Sequence, residues 1–281
     1  YVKDRYSGFA GDSPRQPPAD LKDYPSFLER LAKSGGTPQY SRPCCVGPIS
    51  PKDSHDLQAD IQHLQSAMGS NSVAQGFMNA ASPGVIALFL PNQYYPDHES
   101  YLIALGEALK TEYQAIIASG LSLQLDCPDL ALSRHMLFTE KSDEEFLDLA
   151  RLHMEVLNSA LEGLPAEKIR LHICWGNYEG PHHCDIAMEK VFEVLMSSKA
   201  QYVLFENANP RHGHEWAVFE ERRAHIPDDK ILVPGVVDTT TNFVEHPRLI
   251  AQRLERFVNF LGRERVVAGT DCGFGTFAGF G

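Results

Sequence analysis

His172 and Cys174 stand in the run Ile169-Arg170-Leu171-His172-Ile173-Cys174-Trp175, where apolar residues alternate with the others. That alternation predicts a strand, and a strand turns residues two apart to one face. An imidazole beside a thiolate is half of a zinc site, because zinc takes nitrogen and sulfur ligands in a tetrahedron. Other strand-like runs end on groups of similar chemistry: Asp126 after 121–125, Glu206 after 202–205, Asp238 after 231–237, and Asp271 with Cys272 after 265–268. Singly, each has an ordinary reading, since a strand cysteine is most often a small buried hydrophobe. Together, His172, Cys174, Glu206 and Cys272 supply four ligands of the kinds zinc takes, provided the fold brings strand ends to one place.

The elements between these runs have the rhythm that does so. Helical patterns of about 10 to 20 residues separate the strands. The helix at 100–119 carries Leu102, Leu105, Leu109, Ile116 and Ile117 on its apolar side,. Ser142-Asp143-Glu144-Glu145 is a capping box opening the next helix,. Helices are also predicted over 24–33, 54–68, 185–196 and 215–223, and from Pro247 onward,. Residues 73–78 read as the first strand of the series, and 79–84 as a turn-rich loop,. No Gly-x-Gly-x-x-Gly follows any strand, which argues against a dinucleotide-binding sheet. The pattern predicts an α/β protein: a TIM-type β/α barrel whose N-terminal strands lie upstream of Tyr1. Residues 1–281 form one catalytic domain on this reading, with 1–72 an irregular, partly helical lead-in and 73–281 the barrel units. Such barrels place chemistry at the carboxyl ends of their strands.

Composition narrows the partners. The 281-residue chain carries a formal net charge of -12, and no basic run, which disfavours nucleic acid and anionic membrane. No apolar stretch of 18 or more residues spans a bilayer. Six cysteines in so long a chain, with Cys44 and Cys45 adjacent, predict free or metal-bound thiols in a reducing cytoplasm rather than a disulfide framework. Nothing in the pattern indicates an oligomeric state.

His172-x-Cys174, Phe205-Glu206, Pro234-Gly235-Val236-Val237-Asp238 and Asp271-Cys272-Gly273 together resemble the catalytic domain of the cobalamin-independent methionine synthase family, from about Val73 onward. The resemblance implies a β/α barrel with zinc on His172, Cys174, Glu206 and Cys272. It also implies that Asp126 helps hold an amino-acid substrate. Two positions depart from the family pattern: Cys127 replaces a Glu, and Asp238-Thr239-Thr240 replaces an Asp-Ile-His whose His handles protons. The run Asn207-Ala208-Asn209-Pro210-Arg211-His212-Gly213-His214 is closer to the single-barrel branch that includes epoxyalkane–coenzyme M transferases.

The implied reaction is alkyl transfer to a zinc-activated thiol, from a methylated folate-type donor to homocysteine giving methionine. The partners are then a small-molecule thiol and an alkyl donor. Asp126, His212, His214 and Asp238 are candidate catalytic groups, and Asp126, Arg211 and Trp175 candidate substrate contacts. His182, His183 and Cys184 offer further ligand types in a loop, for which a solvated loop is the simpler expectation. His153 reads as a core histidine. A different thiol acceptor, a zinc-free decarboxylase-type barrel and a purely structural zinc protein are the competing readings.

Overall fold

The computed structural model describes residues 1–13, 18–33, 42–69, 71 and 73–274. In chain order the strands are β1 (Phe9–Ala10), β2 (Cys44–Cys45), β3 (Phe77–Ala81), β4 (Ser122–Asp126), β5 (Ile169–His172), β6 (Tyr202–Phe205) and β7 (Ile231–Pro234). The helices are α1 (Val2–Arg5), α2 (Pro25–Lys33), α3 (His55–Gly69), α4 (Pro83–Phe89), α5 (His98–Ala118), α6 (Ser133–Met136), α7 (Asp143–Ala160), α8 (Met188–Met196), α9 (Trp216–Glu221) and α10 (Pro247–Leu261).

Strands β3 to β7 form one parallel sheet in sequence order. A further segment continues it through bridges Leu232↔Val266 and Gly235↔Gly269. Parallel neighbours that succeed one another through helices build the wall of a TIM-type β/α barrel. The strands are nearly continuous apolar runs because both faces are covered. Leu123, Leu125, Ile169, Leu171, Val203 and Leu232 are all fully buried.

Local signals set several helix starts. Ser142 Oγ accepts from the Glu145 backbone N–H, and Glu145 reaches back to Ser142 N at 2.8 Å, the predicted capping box. Asp97 caps α5 through Ser100 N at 2.7 Å. The structure shortens some expected elements: 231–237 is a strand only over Ile231–Pro234, 265–268 joins the sheet through isolated bridges alone, and the helix expected over 185–196 begins at Met188. The largest difference lies around residues 73–89. The first strand of the series lies at Phe77–Ala81 rather than 73–78, and the expected loop after it gives way at once to α4. That helix is short and apolar on most sides, burying Pro83, Gly84, Val85, Ile86 and Ala87. It therefore lacks the amphipathic period by which surface helices are recognised. Its start is fastened by Ser82, whose Oγ accepts from Val85 N.

The lead-in joins α5 through an ion pair and two hydrogen bonds on one carboxylate. Arg5 and the hydroxyls of Tyr1 and Tyr6 converge on Glu112 of α5. The antiparallel β1–β2 pair lies beside them, and Cys45 bridges to Asn92. No helix among the described residues is long and apolar enough to cross a membrane.

Candidate metal centre

The parallel register aligns the strand ends: Asp126 pairs with His172, His172 with Leu204, and Phe205 with Pro234. Residues just beyond those ends therefore meet. Cys174 Sγ and Cys272 Sγ lie 3.2 Å apart although 98 positions separate them in the chain. Cys174, Glu206 and Cys272 are all buried, with one ligand atom of each within 4.8 Å of the others. His172 stands at the edge of this group, its Nε2 3.8 Å from Cys272 Sγ and 2.9 Å from the Asp271 carbonyl. Two sulfurs, a carboxylate oxygen and an imidazole nitrogen are a donor set that suits zinc.

The electrostatics are those of a thiol next to a thiolate. Cys272 is lowered to about 7, first because the Cys174 thiol donates to it and then because His172 faces it, against the opposing effect of burial. Cys174 is pushed well up by that same bond, by burial and by the charges of Cys272 and Glu206. Burial works against a charged His172, yet Asp126 and Cys272 hold its pKa well above the usual imidazole range.

A second layer orients these groups. Glu206 Oε1 accepts from Trp175 N at 2.8 Å, and Oε2 accepts from Asn209 Nδ2 at 2.7 Å and Arg211 Nη2 at 3.0 Å. Asp271, 1% exposed, accepts from the backbone N–H groups of Asn207, Ala208 and Asn209 and from Asn209 Nδ2. It thereby pins the loop that carries Glu206 to the segment that carries Cys272. Gly235 leaves room for it: a Cβ there would lie 2.8 Å from Asp271 Cα and N. Asp271 had the right position in the sequence, beside Cys272 at a strand end, but nothing there distinguished a loop anchor from a ligand.

The remaining candidates occupy varied places. Asp126, with 54% of its side chain exposed, takes His172 Nδ1 at 3.0 Å. Asp238 is buried and accepts from Thr240 N and Oγ1, closing its own turn. Arg211 does not face outward for a substrate anion; it spans Glu206 and the carbonyls of Tyr178 and Gly176. Trp175 is fully buried rather than lining the mouth, with Nε1 on the Ile186 carbonyl and its ring stacked on His212 at 4.3 Å. His212 is buried too, with both nitrogens engaged, by Glu215 at 2.8 Å and Asp185 at 3.0 Å. Burial opposes its charge, but those carboxylates keep its pKa up at about 9. His214 is exposed. Cys127, at the family's Glu position, is sealed in the core, and burial pushes its thiol well up.

The family model described as "Cobalamin-independent synthase, Catalytic domain" matches residues 90–279. The chain belongs to this family. Among curated relatives, the methionine synthase of Saccharolobus solfataricus is 23% identical over 242 residues, covering 85% of this chain and 62% of the relative. That of Pyrococcus horikoshii is 33% identical over 192 residues, covering 68% and 48%. The chain thus spans about half to three fifths of the length of these relatives. A solved B12-independent methionine synthase from Shewanella sp. W3-18-1, in complex with selenomethionine, shares the fold with a TM-score of 0.68 at 19% identity, over 97% of this chain and 71% of that one. A Listeria monocytogenes structure described as a vitamin-B12 independent methionine synthase gives 0.59, also at 19% identity.

Proposed function

We propose that this cobalamin-independent synthase domain is a zinc-dependent transferase that moves a methyl group from a methylated folate-type donor to the sulfur of homocysteine, giving methionine. The single observation that carries this reading is the buried convergence of Cys174, Glu206 and Cys272 at the strand ends, in a chain of this family. Cys174, Cys272, Glu206 and His172 would hold the zinc; when bound, zinc supplies the charge that keeps a substrate thiol deprotonated at neutral pH.

The chain's own residues supply positioning. Asp126 orients His172 through Nδ1, as a carboxylate behind a ligating histidine does,. Half exposed, it also offers its second oxygen to a substrate ammonium. Glu206 is satisfied by three N–H donors, so its charge stays paired whether or not it also touches a metal. Asp238 closes the loop at the rim through Thr240 and is the acidic group nearest in sequence to the family's proton-handling position. His212 supports Trp175 from below, and with both nitrogens occupied it is a positioning residue rather than a proton carrier. His214 is the exposed imidazole of that loop and the remaining candidate for proton transfer.

A sulfonated thiol such as coenzyme M is the second reading, favoured by Thr240 in place of the family His. It needs a free cationic fork, and Arg211 is committed to Glu206. Homocysteine, whose ammonium suits Asp126, is the better match. All six cysteines are free, which suits the cytoplasmic location we propose for the chain.

Metal analysis of purified protein, combined with a panel of homocysteine, coenzyme M and glutathione assayed for S-alkylation, tests the proposal. The expected result is about one thiolate-bound metal per chain, seen as sulfur-to-cobalt bands on cobalt substitution and lost in Cys174→Ser and Cys272→Ser, with homocysteine the preferred acceptor. A protein that shows no sulfur-to-cobalt band, or the same band in both variants, would overturn the reading in favour of a barrel without a thiolate-bound metal.

A further inference from the structure

A second group of ligand-type side chains lies behind the loop that follows β5. His135 of α6, His182 and Asp185 place one ligand atom each within 4.8 Å of the others. His135 Nδ1 is 3.2 Å from Asp185 Oδ1, and His182 Nδ1 lies 3.0 and 3.1 Å from the two Asp185 oxygens. Asp20, from the lead-in, sits on the far side of the His135 ring with Oδ2 3.9 Å from Nε2. The side chains of His135 and Asp20 are wholly buried, that of His182 is 1% exposed and that of Asp185 7%.

What separates this group from an ordinary histidine–carboxylate cluster is its missing bonds. Five buried side-chain polar atoms lack a hydrogen-bond partner among the described residues, and four of them are here: Asp20 Oδ2, both nitrogens of His135, and His182 Nε2. A neutral imidazole has one N–H and one lone pair, and a protonated one has two N–H groups. In either state His135 has two unmet needs in a dry place, which folded proteins rarely leave. The group also gathers carboxylates without cations. Among the described residues no Lys or Arg pairs with Asp20, Asp185 or Glu215; their ion-pair partners are all imidazoles.

We propose that His135, His182 and Asp185 bind a divalent first-row transition-metal ion, a site distinct from the cysteine centre and independent of the reading given for it. Ligand atoms held at about 2.0–2.2 Å around a tetrahedral ion lie roughly 3.3–3.6 Å apart. The separations of Asp185 from His135 and His182 are already close to that. With Nδ1 of His135 on the ion, Nε2–H would face Asp20 Oδ2, now 3.9 Å away, and closing that gap would complete the carboxylate–histidine–metal arrangement that fixes a ligating ring. Imidazole and carboxylate donors suit zinc, manganese or iron(II) over the soft metals that thiolates select. The ion would tie three separate stretches together: the lead-in at Asp20, the short helix after β4, and the loop after β5. That last loop touches the cysteine centre, since Gly176 N donates to Cys174 Sγ at 3.2 Å. The site thus fastens the wall against which the cysteines are arranged.

The test uses the full chain with Cys174→Ser and Cys272→Ser combined, so that the cysteine centre cannot account for bound metal. After loading with Co²⁺ or Zn²⁺ and gel filtration, this variant is expected to keep about one equivalent of metal, with cobalt bands lacking a thiolate charge-transfer component. Zinc should raise its melting temperature. Adding His135→Gln or Asp185→Asn should remove both effects while circular dichroism stays native. Should the double cysteine variant fail to fold, cobalt titration of the unaltered chain decides: a second equivalent with no sulfur-to-cobalt band supports the site. A foldable double variant that retains no metal and shows no melting shift would overturn the proposal. So would equal retention in His135→Gln and Asp185→Asn, or a single sulfur-type equivalent in the unaltered chain.

Discussion

At the ends of β3 and β4, Ser82 donates to Asp129 at 2.7 Å, His153 meets the other Asp129 oxygen at 2.9 Å, and His98 meets His153 at 2.8 Å. At the ends of β5 and β6, two thiols and a carboxylate converge instead. Both networks are largely buried, with His98 half-buried at the edge of the first, and both rest on an aspartate packed against a glycine: Asp129 on Gly84, Asp271 on Gly235. In the first, donors and acceptors alternate and each satisfies the next, so the network is complete as it stands and fastens α4, α5 and α7 together. In the second, the supporting aspartate is complete, but the groups it positions are all electron donors turned toward one another. Burial of a polar group therefore does not mark function. What marks it is a set of like groups that neighbours hold together despite their charge.

That contrast is broken most severely at the cysteines. Cys272→Ser or Cys174→Ser should lower metal affinity at the cysteine centre by more than the roughly 100-fold that loss of a supporting residue costs, measured by cobalt titration at the sulfur-to-cobalt band, with S-alkylation lost in parallel. Gly235→Ala comes next. Its methyl group meets the Asp271 backbone, which cannot swing aside. Overpacking should cost about 1–3 kcal/mol and metal affinity about 10- to 100-fold, read by denaturant unfolding and zinc titration. Arg211→Ala should lower metal affinity about 10-fold or more with little change in melting temperature, and Arg211→Lys should restore only part, because Lys lacks the planar fork.

Asp129→Ala is expected to invert the pattern. It strands the Ser82 hydroxyl hydrogen and His153 Nδ1, at about 1–3 kcal/mol for each group stranded, yet metal content should not move. A loss of zinc in this variant would dissolve the distinction between the two networks. The smallest effect is a pH dependence. His98 is pushed down to about 4, mainly by burial and then by His153, against the pull of Asp129 and Asp97. A base with a depressed pKa in the fold is protonated first in the unfolded chain, so stability from this group is complete above pH 6.5 and lost as pH falls toward about 4,. The melting temperature should decline over that window, and less so in His98→Gln.

Much of this was legible beforehand, for identifiable reasons. The strand at Tyr202–Phe205 and the capping box at Ser142 are both legible in the sequence, because a short apolar run and a cap are local properties of a few residues. Cys174, Glu206 and Cys272 were picked out because a parallel barrel converts "end of a strand" into "same place" without further information. His153 was read as a core histidine and is one. The long loops are where the sequence says least about a side chain's direction. Arg211 and Trp175, which the sequence offers as candidate substrate contacts, lie on Glu206 and His212. The pairing of His135 with Asp185 and Asp20 carried no sequence signal, since the three lie on separate segments far apart in the chain.

The order of strands and helices, the chemistry available at each strand end, and the charge of the whole were set by the sequence alone, because backbone periodicity and side-chain type act within a few residues. Which imidazole keeps a free nitrogen, which arginine faces a ligand rather than solvent, and which aspartate holds a loop were decided only in three dimensions. Those outcomes depend on which distant groups compete for the same donor once water is gone, and that competition exists only after the chain has closed around it.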